Sequence, residues 1–299
     1  MIVPDLAELS ALSGAVRGLS LHAHRPVMAA LQGAHRSAQR GRGLEFEEVR
    51  LYAPGDDARN IDWRVTARRG RLHTRLYREE RERPVWLVAD VHPGLFFGSR
   101  RQLKSSLLLR AAAMLAWVAA QSGDRVGAVI ADGRREPLIL PPRGRKAGVL
   151  PILEALVEMQ PRAPGLPSSG LQQAVAMLRP LLKPGSMILV LSDFADFPAS
   201  TGDMLASATR HSDCRILWIT DSLEDEGLPK GNYRVGLPGR LWWMNGEEAR
   251  RPWQDAWRVR ERELNDLSMR LNVPLVRLDT QDAAIERMVT LLKEPRWAA

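Results

Sequence analysis

Residues 85–90 read Val-Trp-Leu-Val-Ala-Asp (VWLVAD), five apolar residues followed by an acid. An uninterrupted apolar run of this length is typical of a strand that is buried on both faces in a parallel sheet. Similar runs at 125–131, 187–191 and 215–220 alternate with segments whose apolar residues recur at helical spacing. This alternation predicts an α/β fold with a doubly wound, mostly parallel sheet, because parallel strands need helical crossovers.

The composition indicates a globular chain that can bury a large core, since 45% of its 299 residues are hydrophobic. The single cysteine, Cys214, excludes an internal disulfide and a cysteine-based zinc cluster, which fits a reducing compartment. The first residues lack the basic and apolar blocks of a signal peptide. The most apolar stretch, 107–120, contains Arg110 and is too short to span a bilayer. We therefore expect a cytoplasmic protein.

The pattern before residue 84 differs from the pattern after it and predicts two domains. Residues 1–83 show helical spacing at first and then, from Leu44, short alternating runs that predict antiparallel strands, one of them through Trp63. We interpret this part as an N-terminal helical segment and a β-rich extension. Residues 84–299 carry the alternation of strands and helices, and within them residues 233–244 predict a hairpin at one edge of the sheet.

A dense motif lies in the extension, where residues 48–63 read EVRLYAPGDDARNIDW. This stretch resembles the signature of the family called domain of unknown function 58, whose members pair it with a von Willebrand A-like domain. Lys104 and the stretch 123–127 also match, so the resemblance covers about residues 40–195. It implies that residues 84–299 form a von Willebrand A-like, Rossmann-like domain.

Within the motif, Pro54 and Gly55 predict a tight turn, because proline presets φ at the first corner and glycine tolerates a positive φ at the second. The neighbouring charged residues are close enough in sequence to lock this turn by hydrogen bonds, and we expect Trp63 to anchor the segment by burial. Two interpretations stay open: the motif holds the extension to the main domain, or it is a partner-docking surface. The candidate residues are Tyr52, Pro54, Gly55, Asp56, Asp57, Arg59, Asp62 and Trp63.

The resemblance also implies a metal-ion-dependent adhesion site at the carboxyl ends of the central strands, built from Asp-x-Ser-x-Ser, a threonine and a second aspartate. Asp90 is kept, but His92 and Gly94 replace both serines. Ser169 stands at the threonine position, and Asp193 matches the last acid. We predict that Asp90, Ser169 and Asp193 meet at the rim of the sheet as a degenerate site that has lost tight magnesium binding. No cofactor is expected, although Mg²⁺ or Mn²⁺ stays open, as does a softer metal with His92 as a nitrogen ligand.

The signatures of several common catalytic sites are absent from the sequence: there is no Gly-x4-Gly-Lys-Ser/Thr loop, no His-Glu-x2-His and no Gly-x-Ser-x-Gly. No catalytic residue is therefore assigned, and we expect a non-enzymatic protein-binding adaptor. The resemblance implies a MoxR-type AAA+ ATPase as its partner, in assembly or chaperone-like work. Two alternatives stay open. The net charge of +8 allows a nucleic-acid or anionic-surface binding protein, and Asp90 with Asp193 allows a metal-dependent hydrolase.

Overall fold

The computed structural model describes residues 3–21, 44–53, 56, 58–79, 83–195, 199–237 and 240–294. The described residues up to Leu21 and from Arg83 onward belong to one compact unit, and residues 44–79 belong to a second, smaller unit. The strands are β1 (Leu44–Leu51), β2 (His73–Glu79), β3 (Pro84–Asp90), β4 (Arg125–Ala131), β5 (Leu138–Gly144), β6 (Met187–Ser192), β7 (Asp213–Thr220), β8 (Asn232–Leu237), β9 (Arg240–Asn245) and β10 (Leu275–Asp279). The α-helices are α1 (Leu6–Ala11), α2 (Trp63–Arg69), α3 (Lys104–Gln121), α4 (Lys146–Met159), α5 (Leu171–Leu178), α6 (Ala199–Ala208), α7 (Ser222–Glu226), α8 (Gly246–Leu271) and α9 (Ala284–Lys293).

Six strands of the larger unit form one sheet in the order β10–β7–β6–β3–β4–β5. Neighbouring strands are parallel except β5, which is antiparallel to β4. The predicted α/β fold with a mostly parallel sheet is therefore confirmed. Strands β3 and β6 are adjacent, and Ala89 pairs with Leu191, so the carboxyl ends of these two strands meet at the same edge of the sheet.

Alternation along β3 builds a hydrophobic core on each face of the sheet. Val85 and Leu87 belong to the core that contains the apolar residues of α3. Trp86 and Val88 belong to the opposite core, which contains the apolar residues of α5 and α8. Because both faces are covered by helices, β3 is apolar at successive positions rather than at every second one.

The longest helices differ in character. Helix α3 has 18 residues and is buried on nearly all sides, although Lys104 and Arg110 interrupt its apolar sequence. Helix α8 has 26 residues and is rich in charge, with Trp257, Leu264 and Leu267 buried along one stripe. Among the helices that the structure describes, none combines the length and the apolar character needed to cross a bilayer.

The strand expected through Trp63 is wrong, because this residue begins helix α2. The carboxylate of Asp62 caps the helix by accepting hydrogen bonds from the backbone amides of Arg64 and Val65. Gly70 ends the helix in the left-handed region, at φ 67°. The cap residues determine the local structure here, and the alternation of apolar residues does not indicate a strand. Strands β1 and β2 on either side pair antiparallel, as expected.

The predicted hairpin is present, but its predicted place is wrong. Strands β8 and β9 pair antiparallel and form a two-stranded sheet of their own. The edges of the main sheet are β5 and β10 instead. The last strand, β10, returns after the long helix α8 and pairs parallel with β7, so it takes the edge position that the hairpin was expected to fill.

Candidate functional site

Asp90 ends strand β3 and has its hydrogen-bond needs met within the chain. Its side chain is completely buried. Its Oδ2 accepts hydrogen bonds from Ser169 Oγ (2.7 Å) and Ser192 Oγ (2.8 Å), and its Oδ1 accepts one from the backbone amide of Gly170 (3.1 Å). Burial raises the pKa of Asp90, and the hydrogen bonds from the two serines act against that rise. Both carboxyl oxygens are therefore engaged by nearby donors.

Asp193, which follows β6, belongs to a second buried cluster that contains a lysine. Nζ of Lys104, in the first turn of α3, lies 2.6 Å from Oδ2 of Asp193 and 2.8 Å from Oε1 of Glu224. Burial alone would raise the pKa of Asp193, but the Lys104 ammonium and the His92 ring hold that pKa far below its usual range. Burial alone would lower the pKa of Lys104, but the two carboxylates raise it. The cluster is therefore a buried ion pair with a bridging ammonium.

His92 connects Asp193 to the loop after β3. Its Nε2 lies 3.0 Å from Oδ1 of Asp193, and its Nδ1 accepts a hydrogen bond from the backbone amide of Gly94 (3.1 Å). Because Nδ1 accepts, Nε2 carries the proton and donates to the carboxylate. Burial lowers the pKa of His92, but the hydrogen bond and the charge of Asp193 outweigh it and raise that pKa. Both ring nitrogens are thus occupied by partners within the chain.

The residues at this edge of the sheet do not fit a divalent cation. Both carboxyl oxygens of Asp90 accept hydrogen bonds from donors of the chain, and the ammonium of Lys104 lies against Asp193. Neither nitrogen of His92 is left to act as a ligand. Within the described ranges, no group of three or more His, Cys, Asp or Glu side chains is arranged to hold a metal ion. An internal ammonium therefore supplies the positive charge beside Asp193.

The end of β7 continues the same network. Asp221, directly after this strand, accepts hydrogen bonds from the backbone amide of Ser99 (2.7 Å) and from the hydroxyl of Thr280. Oε2 of Glu224 accepts a hydrogen bond from the backbone amide of Asp221 (3.0 Å), while its Oε1 accepts from Lys104. Glu224 thus links the Lys104 cluster to the Asp221 cluster, so the polar groups at the ends of β6 and β7 form one connected set.

The structure brings Asp90, Ser169 and Asp193 to one edge of the sheet, as the sequence predicts. The sequence interpretation gives no role to Lys104, Ser192 or Glu224. Ser192 donates to Asp90, Lys104 donates to Asp193, and Glu224 accepts from Lys104. Two of the three left a signal. Ser192 directly precedes Asp193 at the end of an apolar strand, and Lys104 is a lone charge in the first turn of an apolar helix. Glu224 stands three residues after Asp221, a spacing that indicates a helix start but not a contact with Lys104.

A cleft of about 350 Å³ opens beside Ser169, where the loop after β4 faces helices α5 and α6. Gly133, in that loop, has φ 68°, and a Cβ there would come within 1.3 Å of the backbone oxygen of Ser168. Only glycine therefore lets the two loops approach so closely. The cleft is lined by Gly133, Ser169, Gly170, Gln172, Gln173, Ala176 and Met204.

The motif of the smaller unit is held together by charge. Asp56 lies 2.7 Å from a guanidinium nitrogen of Arg50, and Tyr52 donates its hydroxyl to the backbone oxygen of Asp56 (3.1 Å). Asp62 caps α2 and lies 2.8 Å from Nε of Arg75 on β2. Hydrogen bonds lower the pKa of Asp56, chiefly the one from the backbone amide of Ala53. The pKa of Asp62 is lowered as well, chiefly by the hydrogen bond from Arg75. The ionised carboxylates of Asp56 and Asp62 therefore bind Arg50 and Arg75 within the smaller unit.

The remaining motif residues give a mixed result. Arg59 is exposed, in a short 3-10 turn. The expectation that Trp63 anchors the motif by burial is wrong, because its side chain is 67% exposed at the first position of α2. The other three motif residues lie outside the described residues: Pro54, Gly55 and Asp57.

These features define a class of protein. It has a mostly parallel α/β sheet whose strand-end acids are buried and hydrogen-bonded by other residues of the chain, and a small charged β unit comes before this sheet in the sequence. A family model described as "Protein of unknown function DUF58" matches residues 48–243. The chain belongs to the DUF58 family.

Two relatives of this chain are described as uncharacterized proteins. The uncharacterized protein Mb1516 of Mycobacterium bovis and the uncharacterized protein Rv1480 of Mycobacterium tuberculosis are each 34% identical over 200 residues, 67% of this chain. The matched part spans 62% of the length of these relatives. Among solved structures, BatB from Bacteroides thetaiotaomicron matches with a TM-score of 0.44 and 12% identity, over 70% of this chain and 98% of that one. An aerotolerance-related membrane protein from Bacteroides fragilis matches over the same shares with a TM-score of 0.44 and 13% identity.

Proposed function

We propose that this chain is a non-enzymatic, protein-binding adaptor. In this proposal its larger unit is a von Willebrand A-like domain with a degenerate metal-ion-dependent adhesion site. The strand order, with Asp90 at the end of β3 and Asp193 after the neighbouring β6, supports that interpretation of the sheet. The DUF58 match across residues 48–243 supports it as well, because it includes both the charged motif and most of the sheet.

The observation that carries the proposal is that the strand-end acids are buried and satisfied from within. A general acid, a general base or a nucleophile must reach the substrate to act on it. Asp90, His92, Lys104 and Asp193 instead hold one another and the loops around them. Side chains arranged in this way fix the shape of a surface. This supports recognition of a partner over conversion of a substrate.

The groups that stay accessible at this end of the sheet are suited to recognition. We define the strand-end face as the exposed residues Gly133, Arg134, Leu166, Gln172 and Gln173. Leu166 is 70% exposed and offers an apolar contact. The two glutamine amides both donate and accept hydrogen bonds, and Arg134 adds a positive charge. Such a mixture of apolar, amide and guanidinium groups is typical of transient protein interfaces.

The partner that we propose is a MoxR-type AAA+ ATPase, which the resemblance to the family implies. The adaptor would assist that ATPase in assembly or chaperone-like work in the cytoplasm. The basic character of the chain, with a net charge of +8, favours a partner with an acidic surface. The single cysteine, buried in β7, is compatible with a reducing compartment.

Co-purification of the chain with a MoxR-type ATPase from the same genome, with and without ATP, tests this proposal. We expect capture in at least one nucleotide state. The substitutions Arg134→Glu and Leu166→Asp should each weaken it about ten-fold, because they alter exposed contact groups. Arg258→Glu, an exposed change on α8, is the matched control and should leave capture unchanged. No capture in either state would overturn the proposal, and retention of DNA at about 50 mM salt instead would favour the nucleic-acid alternative.

A further inference from the structure

The β8–β9 ribbon, residues 232–237 and 240–245, exposes large apolar side chains to solvent. Three consecutive side chains of β9 are exposed: Leu241 (50%), Trp242 (49%) and Trp243 (75%). In the described part of the chain the ribbon has only two strands, and a two-stranded sheet is marginally stable in water by itself. An exposed apolar run of this kind usually serves a binding function.

The register of the ribbon decides what each face presents. Trp243 pairs with Arg234, and Leu241 lies two residues before Trp243 on the same face. The guanidinium of Arg234 lies 6.0 Å from the ring centroid of Trp243. Trp242 pairs with Val235 and therefore faces the other way. One face thus offers an aromatic ring, an aliphatic side chain and a guanidinium side by side, residue types that are enriched where proteins bind proteins, apart from leucine.

The charged residues in and around the ribbon indicate what kind of ligand it binds. Residues 228–246 contain Lys230, Arg234 and Arg240 and no aspartate or glutamate. Lys230 forms an ion pair within the chain, because its Nζ lies 2.9 Å from Oε1 of Glu247 in the first turn of α8. The other two, Arg234 and Arg240, both precede the exposed tryptophans in the sequence, and their positive charges favour a ligand that combines carboxylates with apolar groups.

We propose that the β8–β9 ribbon docks an acidic, extended segment of another protein, in which carboxylates alternate with apolar side chains. An added strand would pair with an outer edge of the ribbon while its side chains meet the face that carries Trp243. This interaction goes beyond the adaptor function proposed above, because no residue of the strand-end face takes part in it.

Other occupants fit the observations less well. A second copy of the chain would bring the same cations to the interface, and like charges repel. A bilayer surface would favour tryptophans on one face, whereas Trp242 and Trp243 point in opposite directions. Single-stranded nucleic acid would stack a base on Trp243 but would gain little from Leu241.

Fluorescence anisotropy with labelled peptides and the full chain tests the proposal. The probe is a short peptide that alternates glutamate with valine and phenylalanine, and its matched partner carries lysine in place of every glutamate. We expect binding of the acidic peptide alone, weakened about ten-fold or more by Trp243→Ala and by Arg234→Glu. Trp63→Ala and Arg258→Glu change exposed residues of the same types elsewhere and should leave the affinity unchanged.

Several results would overturn the proposal. One is equal affinity for the two peptides, and another is binding of the acidic peptide that Trp243→Ala does not weaken. Tighter binding to phosphatidylserine vesicles or to oligothymidine, lost in Trp243→Ala, would assign the ribbon to a lipid surface or to nucleic acid instead. Self-association in sedimentation that disappears in Trp243→Ala would assign it to a second copy.

Discussion

Replacing Lys104 with methionine removes the buried ammonium while keeping an apolar stem of similar length. The wild-type Nζ lies 2.6 Å from Asp193 and 2.8 Å from Glu224. Removing one partner of a buried ion pair costs about 3–5 kcal/mol. Asp193 keeps its hydrogen bond with His92, and Glu224 is only partly buried, so we expect a loss near the lower end, about 3 kcal/mol. This is a large share of a typical unfolding free energy of about 5–15 kcal/mol.

Urea unfolding at neutral pH measures the effect. We expect the midpoint of Lys104→Met to fall with an unchanged slope, because the surface exposed on unfolding stays the same. Lys146→Met changes an exposed lysine in the first turn of α4 and should alter the unfolding free energy by less than about 0.5 kcal/mol. A midpoint for Lys104→Met equal to that of the wild type would refute the assignment of a buried ion cluster.

The pH dependence gives the same prediction a second readout. In the wild type, the pKa of Asp193 is lower in the folded state than in the unfolded state. Its contribution to stability is therefore present above about pH 4 and is lost as the pH falls further. In Lys104→Met, burial without the ammonium favours the protonated acid, so lowering the pH from 7 to 5 should recover part of the lost stability. A constant difference between wild type and variant across that range would contradict this reasoning.

Four substitutions test other parts of the structure by thermal unfolding. Ser192→Ala removes one of the two hydroxyl donors to Asp90 and should cost about 1–3 kcal/mol, so an unchanged melting temperature would show that this hydrogen bond is not formed. Trp257→Ala should cost about 3–5 kcal/mol because the ring is buried, whereas Trp63→Ala should cost less than about 0.5 kcal/mol, and equal losses would contradict the exposure of Trp63. Gly133→Ala forces a Cβ onto a backbone oxygen at positive φ and should destabilise by more than about 1 kcal/mol, which a neutral result would contradict.

The sequence predicts the two strands that carry the acids, because each strand is indicated by a local apolar pattern. The apolar run at 85–90 indicates a central strand, and the run at 187–191 indicates another. Asp90 and Asp193 stand at or directly after the ends of these runs, and adjacency of parallel strands places their ends at one edge. Periodicity therefore indicates the two strands, whereas the expectation that Asp90 and Asp193 lie together rests on the resemblance to the family.

The partners of the acids could not be predicted from periodicity. Lys104 lies 89 residues from Asp193 in the chain, and Glu224 lies 120 residues from Lys104. No local pattern reports such long-range pairs. The mistake at Trp63 has a local cause instead. Asp62 and Gly70 stand at the spacing of a helix N-cap and C-cap, and these caps override the alternation of apolar residues around Trp63.

A crystal structure from crystals grown in millimolar Mn²⁺ tests most directly whether an internal ammonium replaces a metal ion at the strand ends. An anomalous difference map identifies and locates any bound manganese. We expect no anomalous peak near Asp90 or Asp193, and we expect Nζ of Lys104 within hydrogen-bond distance of Asp193 and Glu224. A manganese peak about 2.1 Å from an oxygen of Asp90 or Asp193, with Lys104 displaced, would contradict the internal ion cluster.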